Sequence, residues 1–217
     1  MIRVLQGHGR YDDPWHPFEE SSNAVATILA DLGDVEVLGV APDALADLDG
    51  VDLLVVNTGC GDPDNPPQPD ATWAAAFGSL HEWMQAGGPT LALHTAAASF
   101  TDSAYWADDL GGRWVRGVSM HPPRDEVGFA VLGDHPIVAG LGNHLEVREE
   151  RYSFMEQAPQ VTALLSHQFE GAEQVMAWVH ETGGVRTVYS GMGHDASSYA
   201  QQAEADFVLS AARWLLR

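Results

Sequence analysis

The chain has 217 residues, 45% of them hydrophobic, with ten arginines, no lysine and 31 acidic side chains, for a formal charge of −21. So acidic a surface repels nucleic acid and anionic membrane, both of which are gripped by neutralising phosphate with Lys and Arg, and no apolar run approaches the ~20 residues of a membrane-spanning helix. The single cysteine, Cys60, excludes an internal disulfide and any multi-cysteine metal centre, and the length suffices to bury roughly 70–75% of the unfolded surface in one domain covering the whole chain.

Met1 leads straight into residues 2–6, which read as a first strand with no signal peptide before it, so a cytoplasmic location is expected. Residues 21–32 have helical spacing, with Ser21 or Ser22 as cap and Gly33 as stop. Residues 35–40 form a second strand, 43–49 are short and helical in composition, and 51–56 are near-continuously apolar, as buried parallel strands are. A Pro/Asp/Gly-rich loop occupies residues 60–70. In the next helix, 71–86, Trp73, Phe77, Leu80 and Met84 fall on one side, and Gly87-Gly88 ends it. Pro89-Thr-Leu-Ala-Leu-His94 is then a short buried strand with an imidazole where it runs out.

Strands alternating with helices predict an α/β fold with a mostly parallel sheet and helices on both faces. From about Gly111 to Gln168 the pattern changes. Residues 127–132, 145–151 and 161–167 look like strands without long helices between them, which predicts an antiparallel insertion or extension. Residues 175–180 and 185–190 flank a hairpin-like Glu181-Thr-Gly-Gly184, and an apolar helix over 203–216 closes the chain. No internal repeat or linker is visible.

Histidines recur where strands end. His8 and His16 follow the first strand, His94 the central one and His194 the last, while His121 lies in Ser119-Met-His-Pro-Pro123. Parallel strands end on one edge of their sheet, where open α/β folds bind ligands, so these side chains are expected to converge. A set of imidazoles there suits proton transfer near neutral pH or metal ligation. No local spacing announces zinc, yet histidines from separate strands can build an open three-ligand site. The sequence therefore requires no cofactor; a divalent metal such as zinc is the one that His94, His121 and His194 could hold. Glycines in Gly191-Met-Gly193 either turn the backbone sharply beside a ligand or only end a strand. Glu149 and Glu150 alternate with Tyr152 and Phe154, so one carboxylate faces the histidine edge or the segment is a solvated acidic strand. No Gly-rich phosphate loop follows the first strand, which argues against a nucleotide cofactor.

In sequence order, Leu93-His94-Thr-Ala-Ala-Ala-Ser-Phe100, Tyr105, Leu110-Gly-Gly-Arg-Trp114, His121-Pro122, Asp134-His-Pro-Ile-Val-Ala-Gly-Leu141, Glu149-Glu-Arg-Tyr152, Trp178 and Gly184-Val-Arg-Thr-Val-Tyr-Ser-Gly-Met-Gly-His-Asp195 resemble the ThuA-like (trehalose-utilisation) family. The resemblance covers nearly the whole chain. It implies a flavodoxin-like, class I glutamine-amidotransferase-like fold in which the nucleophilic cysteine is missing, since His94 occupies that corner and Cys60 opens a Pro-rich loop on the pocket rim. It also implies a place in carbohydrate metabolism, with trehalose-type disaccharides or their oxidised keto forms as substrates. His94, His121, Glu150 and His194 match the family's motif positions and are the expected catalytic set, although Met120 stands where the family has glycine and Glu149 where it has aspartate. His8, His16, Thr95, Tyr152 and Asp195 are the expected substrate-binding residues, and His135 matches as well, in a setting that reads as a structural turn.

The leading expectation is an enzyme acting on a small-molecule carbohydrate without glutaminase activity. Its rival is a non-catalytic sugar-binding or regulatory module in which Trp15, Trp106 and Trp114 stack on the sugar. Glu149 and Glu150 cannot be the carboxylate pair of ordinary glycoside hydrolysis, because neighbours on a strand point to opposite faces. Neither nucleic acid nor membrane is an expected partner, and a homodimer is the base-rate assembly.

Overall fold

The computed structural model describes residues 1–62, 64 and 66–217; Pro63 and Asn65, in the loop over residues 60–70, lie outside the described residues. In chain order the strands are β1 (Ile2–Gln6), β2 (Val35–Gly39), β3 (Leu53–Asn57), β4 (Pro89–Leu93), β5 (Gly112–Arg113), β6 (Asp125–Val131), β7 (His144–Glu149), β8 (Glu156–Gln157), β9 (Thr162–Phe169), β10 (Ala172–His180) and β11 (Arg186–Ser190). The helices are α1 (Phe18–Leu29), α2 (Pro42–Ala46), α3 (Ala71–Gln85), α4 (Trp106–Leu110), α5 (Ala196–Tyr199) and α6 (Gln202–Leu215). Nine strands make one sheet in the order β2-β1-β3-β4-β11-β10-β9-β6-β7, and β5 pairs with β8 in a separate ribbon.

The β2-β1-β3-β4-β11 half is parallel throughout. With β11 as its fifth strand, this is the flavodoxin-like order. From β11 outward every pairing is antiparallel, the extension that the central stretch of sequence predicts.

The period of two along each parallel strand divides the interior into two cores. Ile2, Val4, Leu53, Val55, Leu91, Leu93 and Val188 face α1 and α6, meeting Val25, Leu29, Phe207, Val208 and Ala211. Leu5, Leu54, Val56, Ala92 and Tyr189 face the other way, against Leu45 of α2, Phe77, Leu80 and Met84 of α3 and Trp106 of α4. Apolar residues on both faces explain why these strands read as unbroken hydrophobic runs.

Several boundaries differ from the sequence reading, most of all those of α1, β9 and β10. α1 begins at Phe18, not at Ser21, with Glu19 and Glu20 in its first turn, where carboxylates favour the positive end of the helix dipole. Ser21 and Ser22 are buried inside the helix, and both hydroxyls accept from Asn57 Nδ2 at 2.9 Å. They satisfy a buried amide at the end of β3 instead of capping. β9 and β10 run longer than expected because Glu170 and Gly171 both take positive φ (49° and 78°), which closes a two-residue hairpin between Phe169 and Ala172.

α6 also carries Glu204 into the interior, fully buried, with neither carboxyl oxygen meeting a hydrogen-bond partner. Burial first, then the charge of the equally buried Glu149, push its carboxyl well above the ordinary range. A carboxyl raised in the folded state binds more protons there than in the unfolded chain. Its contribution is complete below the unfolded value of about 4.3 and fades as pH climbs toward the folded one. Glu204→Gln is therefore expected to raise Tm at pH 8 by roughly 2–4 °C, about what 1 kcal/mol is worth at this chain length, and by less at pH 5. Thermal melts at the two pH values check this; an equal gain at both would show that the carboxyl does not titrate in this window.

Candidate functional site

The carboxyl ends of β1, β4 and β11 lie on one edge of the sheet, and the residues that follow them meet there. His94 comes directly after β4 and takes φ 49°, a left-handed conformation that costs a non-glycine residue of order 1–3 kcal/mol unless its surroundings enforce it. They do. His94 Nδ1 donates to the carbonyl of Gly191 at 2.6 Å, and the hydroxyl of Tyr189 donates to the carbonyl of His94 at 2.8 Å. Because a carbonyl only accepts, Nδ1 carries the proton and Nε2 presents a lone pair to the pocket. The Tyr152 hydroxyl, 2.9 Å away, donates to that nitrogen.

His16 arrives from the loop between β1 and α1. Asp13, side chain fully buried, accepts from the backbone N–H groups of Trp15 and His16 at 3.0 and 3.1 Å and from His16 Nδ1 at 2.7 Å. That orients the His16 ring so that its Nε2 points inward, 3.2 Å from Nε2 of His94. Glu150 follows β7. Its Oε2 lies 3.5 Å from His94 Nε2, and its Oε1 lies 3.4 Å from His194 Nδ1 and 3.6 Å from His121 Nδ1.

Glu149 points the other way, as strand alternation demands. It is fully buried against Ser198 and 3.4 Å from Arg124. Neither glutamate sits on a solvated acidic strand, so that alternative is corrected: both are buried, one in the pocket and one in the core.

The environment splits the titrating groups. Burial, then the charge of His16, hold the His94 imidazole well below its ordinary value, so it stays neutral. The Glu150 carboxylate, close enough to accept from it, raises His194 against the opposing pull of burial. For Glu150, burial is the largest single influence and acts upward, but the combined pull of His194, His121 and His16 outweighs it and holds the carboxylate below its usual range. Tyr152 is pushed well above the ordinary phenol range by burial and then by Tyr189, so it remains a donor.

Over these groups opens a cavity of about 430 Å³, within the usual range for ligand pockets. Asp13, His16, Glu150, Tyr152, His121 and His194 form its polar side, and Trp15, Cys60, Thr95, Ala98 and Trp114 the remainder. A second cavity of about 380 Å³ shares Trp15, Cys60, Ala98 and Trp114 and adds Pro66, Thr101 and Arg116. The Cys60 thiol is pushed up by burial and then by Asp13, which leaves it a poor nucleophile.

Of the expected residues, His16, His94, Thr95, His121, Glu150, Tyr152 and His194 gather here. Two do not. His8 is exposed and packs beside Gly39, away from the cavity walls. Asp195 caps α5, accepting from the backbone N–H groups of Ser197 and Ser198 at 2.8 and 3.1 Å, and pairs with Arg124 at 2.8 Å. Trp106 is a core residue whose indole donates to the Ala96 carbonyl, so it cannot stack on a sugar. His135 sits in a turn against Trp214, as expected.

Among the metal candidates, His121 stands apart. The close-set group comprises His16, His94, Glu150 and His194. Gly191 and Gly193 serve packing, not ligand approach: a Cβ on Gly191 would meet Met176 at 2.9 Å, and one on Gly193 (φ 120°) would meet the Tyr199 hydroxyl at 2.1 Å. The sequence reading missed Asp13 and Arg124. An acid three residues before His16 was the available signal for the first.

The trehalose-utilisation (ThuA) family model matches residues 8–215, and the chain belongs to that family. Its fold is shared with a ThuA-like protein from Parabacteroides merdae (TM-score 0.77, 17% identity, covering 99% of this chain and 89% of that one) and another from Bacteroides uniformis (0.72, 16%, 99% and 89%). A glutamine amidotransferase from Thermotoga maritima is more distant (0.53, 13%, 88% and 74%). No curated protein sequence matches the chain. The amidotransferase-like fold is thus present with an imidazole at the corner after β4. Among the described residues no helix is long and apolar enough to cross a membrane.

The capping role of Asp195 has a measurable consequence. Asp195→Ala should lower stability in a urea titration by about 0.5–2 kcal/mol, the ordinary worth of an N-cap, without weakening the binding of any sugar the pocket accepts. Unchanged stability with lost binding would return Asp195 to the pocket.

Proposed function

We propose that the chain is an enzyme acting on a sugar or keto-sugar, a trehalose-type disaccharide or its oxidised form. The observation that carries this reading is the convergence of Glu150 and three histidines, His16, His121 and His194, on one side of a cavity, with His94 in contact behind them and tryptophan and small residues on the other walls. A module that only binds sugar needs aromatic faces and hydrogen bonds; it has no use for imidazoles driven toward opposite protonation states, which are a mark of acid–base work. The family's description as trehalose utilisation supports the substrate class.

In this reading Trp15, more than half exposed on the rim, and Trp114 flank the bound sugar. The adjoining cavity that shares both indoles gives a second glycosyl unit a place. A keto-sugar turned with its carbonyl oxygen to the floor exposes the neighbouring C–H to a base. His121, on the rim and within ion-pair reach of Glu150, takes that proton. The C–H electron pair becomes the enolate. Its collapse either returns the proton on the other face or expels the glycosidic oxygen two bonds away, which leaves with a proton from the pocket. Each outcome conserves charge and needs no oxidant.

His121→Ala is expected to leave the fold intact, since its ring is exposed, and to lower kcat on a keto-disaccharide by about 10²–10⁴, the usual worth of a positioned acid or base. Chromatography of the products against time measures it. A variant that still converts substrate at the parent rate, or a parent protein that binds the sugar and never alters it, would sink the enzymatic reading in favour of a binding module.

A further inference from the structure

We propose that His16, His94, Glu150 and His194 bind one divalent first-row transition cation at the floor of the pocket, with an open coordination position toward the cavity. This builds on the reading of the pocket as a catalytic site and specifies what its floor holds.

One donor atom from each of the four residues lies within 4.8 Å of the others. Nε2 of His94 is 3.2 Å from Nε2 of His16 and 3.5 Å from Glu150 Oε2, and the other carboxylate oxygen, Oε1, is 3.4 Å from His194 Nδ1. Bonds of about 2.0–2.1 Å in a four- to five-coordinate shell need donor–donor edges of roughly 2.9–3.4 Å. Small rotations of the side chains therefore bring the four donors onto one ion and leave a fifth position free toward the cavity.

The donor chemistry points the same way. His94 and His16 each spend Nδ1–H on a fixed acceptor, the Gly191 carbonyl and the Asp13 carboxylate. That is how outer-shell partners orient metal-binding imidazoles. With both rings neutral, the two Nε2 lone pairs face each other across 3.2 Å, an arrangement that repels unless something positive lies between. A proton on His16 would reconcile that one pair and nothing more. It would leave Glu150 Oε2, on a side chain nine-tenths buried, with no hydrogen-bond partner. A cation takes both lone pairs and the orphaned oxygen, and the Tyr152 hydroxyl turns off Nε2 as it enters. Three imidazoles and one carboxylate suit zinc and its neighbours. A cation so placed would polarise the sugar carbonyl as a Lewis acid, while His121 remains outside the shell for proton transfer.

The test uses the full chain, stripped with a chelator and titrated calorimetrically with Zn²⁺ and with Mn²⁺, with elemental analysis after desalting. One equivalent should bind. Glu150→Gln and His194→Gln should each weaken binding at least about tenfold, and Asp13→Asn by about 10–100-fold through loss of the outer-shell bond. His8→Ala, which alters an exposed imidazole away from the pocket, should change nothing. His194 is partly exposed, so its variant keeps the test alive if Glu150→Gln does not fold. Absence of binding, or binding indifferent to both floor substitutions, overturns the proposal. Turnover undiminished after the metal is removed overturns it too while leaving the enzymatic reading intact; stoichiometric metal with no turnover of any keto-sugar supports the site and sinks the enzymatic reading alone.

Discussion

The hydrogen bond from His94 Nδ1 to the Gly191 carbonyl, 2.6 Å long, is the constraint on which the rest of the site depends. It joins the ends of β4 and β11, adjacent parallel strands whose register pairs Leu93 with Ser190, and it holds an L-residue in a left-handed conformation. It also decides which imidazole nitrogen carries hydrogen, and so aims a lone pair at the pocket. Reverse the tautomer and His94 would present N–H to His16, Tyr152 and Glu150, and the shared focus of those groups would vanish. The arrangement is affordable only because the strands beneath are buried on both faces and cannot shift without opening two cores.

The same corner shows what this chain places after β4 on an amidotransferase-like fold. A strand-end turn with strained backbone is a good place to expose a reactive side chain, because it projects beyond the sheet where substrate reaches it. Here that side chain is an imidazole, 1% exposed and held neutral by burial. Cys60, on the cavity wall, has burial and Asp13 against its ionisation, and the opposing pull of Arg116 does not offset them. Geometry that would suit a nucleophile thus serves a cluster of lone pairs.

Much of this was legible from the sequence, for a physical reason. Parallel strands must be apolar on both faces, so β1, β3 and β4 announce themselves as runs, and residues just past such runs share an edge whatever the loops do. That logic gathers His16, His94 and His194 without a structure. It fails where position depends on a partner outside the strand. His8 follows β1 like His16, but only His16 has an Asp three residues earlier to fold the loop back. Asp195 adjoins His194 in sequence, yet the start of α5 and Arg124 claim its carboxylate. Ser21 and Ser22 look like caps because nothing in the chain shows that Asn57 will need two acceptors.

Glu149 and Glu150 show how much rests on a single register. β7 is the outermost strand of the sheet and pairs only with β6, Asp125 lying opposite Glu149. In that register Glu149 enters the core beside Ser198, Arg124 and Glu204, and Glu150 enters the pocket. A slip of one residue would either move Glu150 into the core and leave Arg151 at the pocket, or bring Arg148 into the core and Glu149 to the pocket. The core pair resists the slip. Arg124 meets Glu149 and Asp195 together, which ties the edge strand to the loop after β11 that carries His194. The network that looks purely structural, behind the pocket, therefore joins the strand that leads to Glu150 to the loop that carries His194.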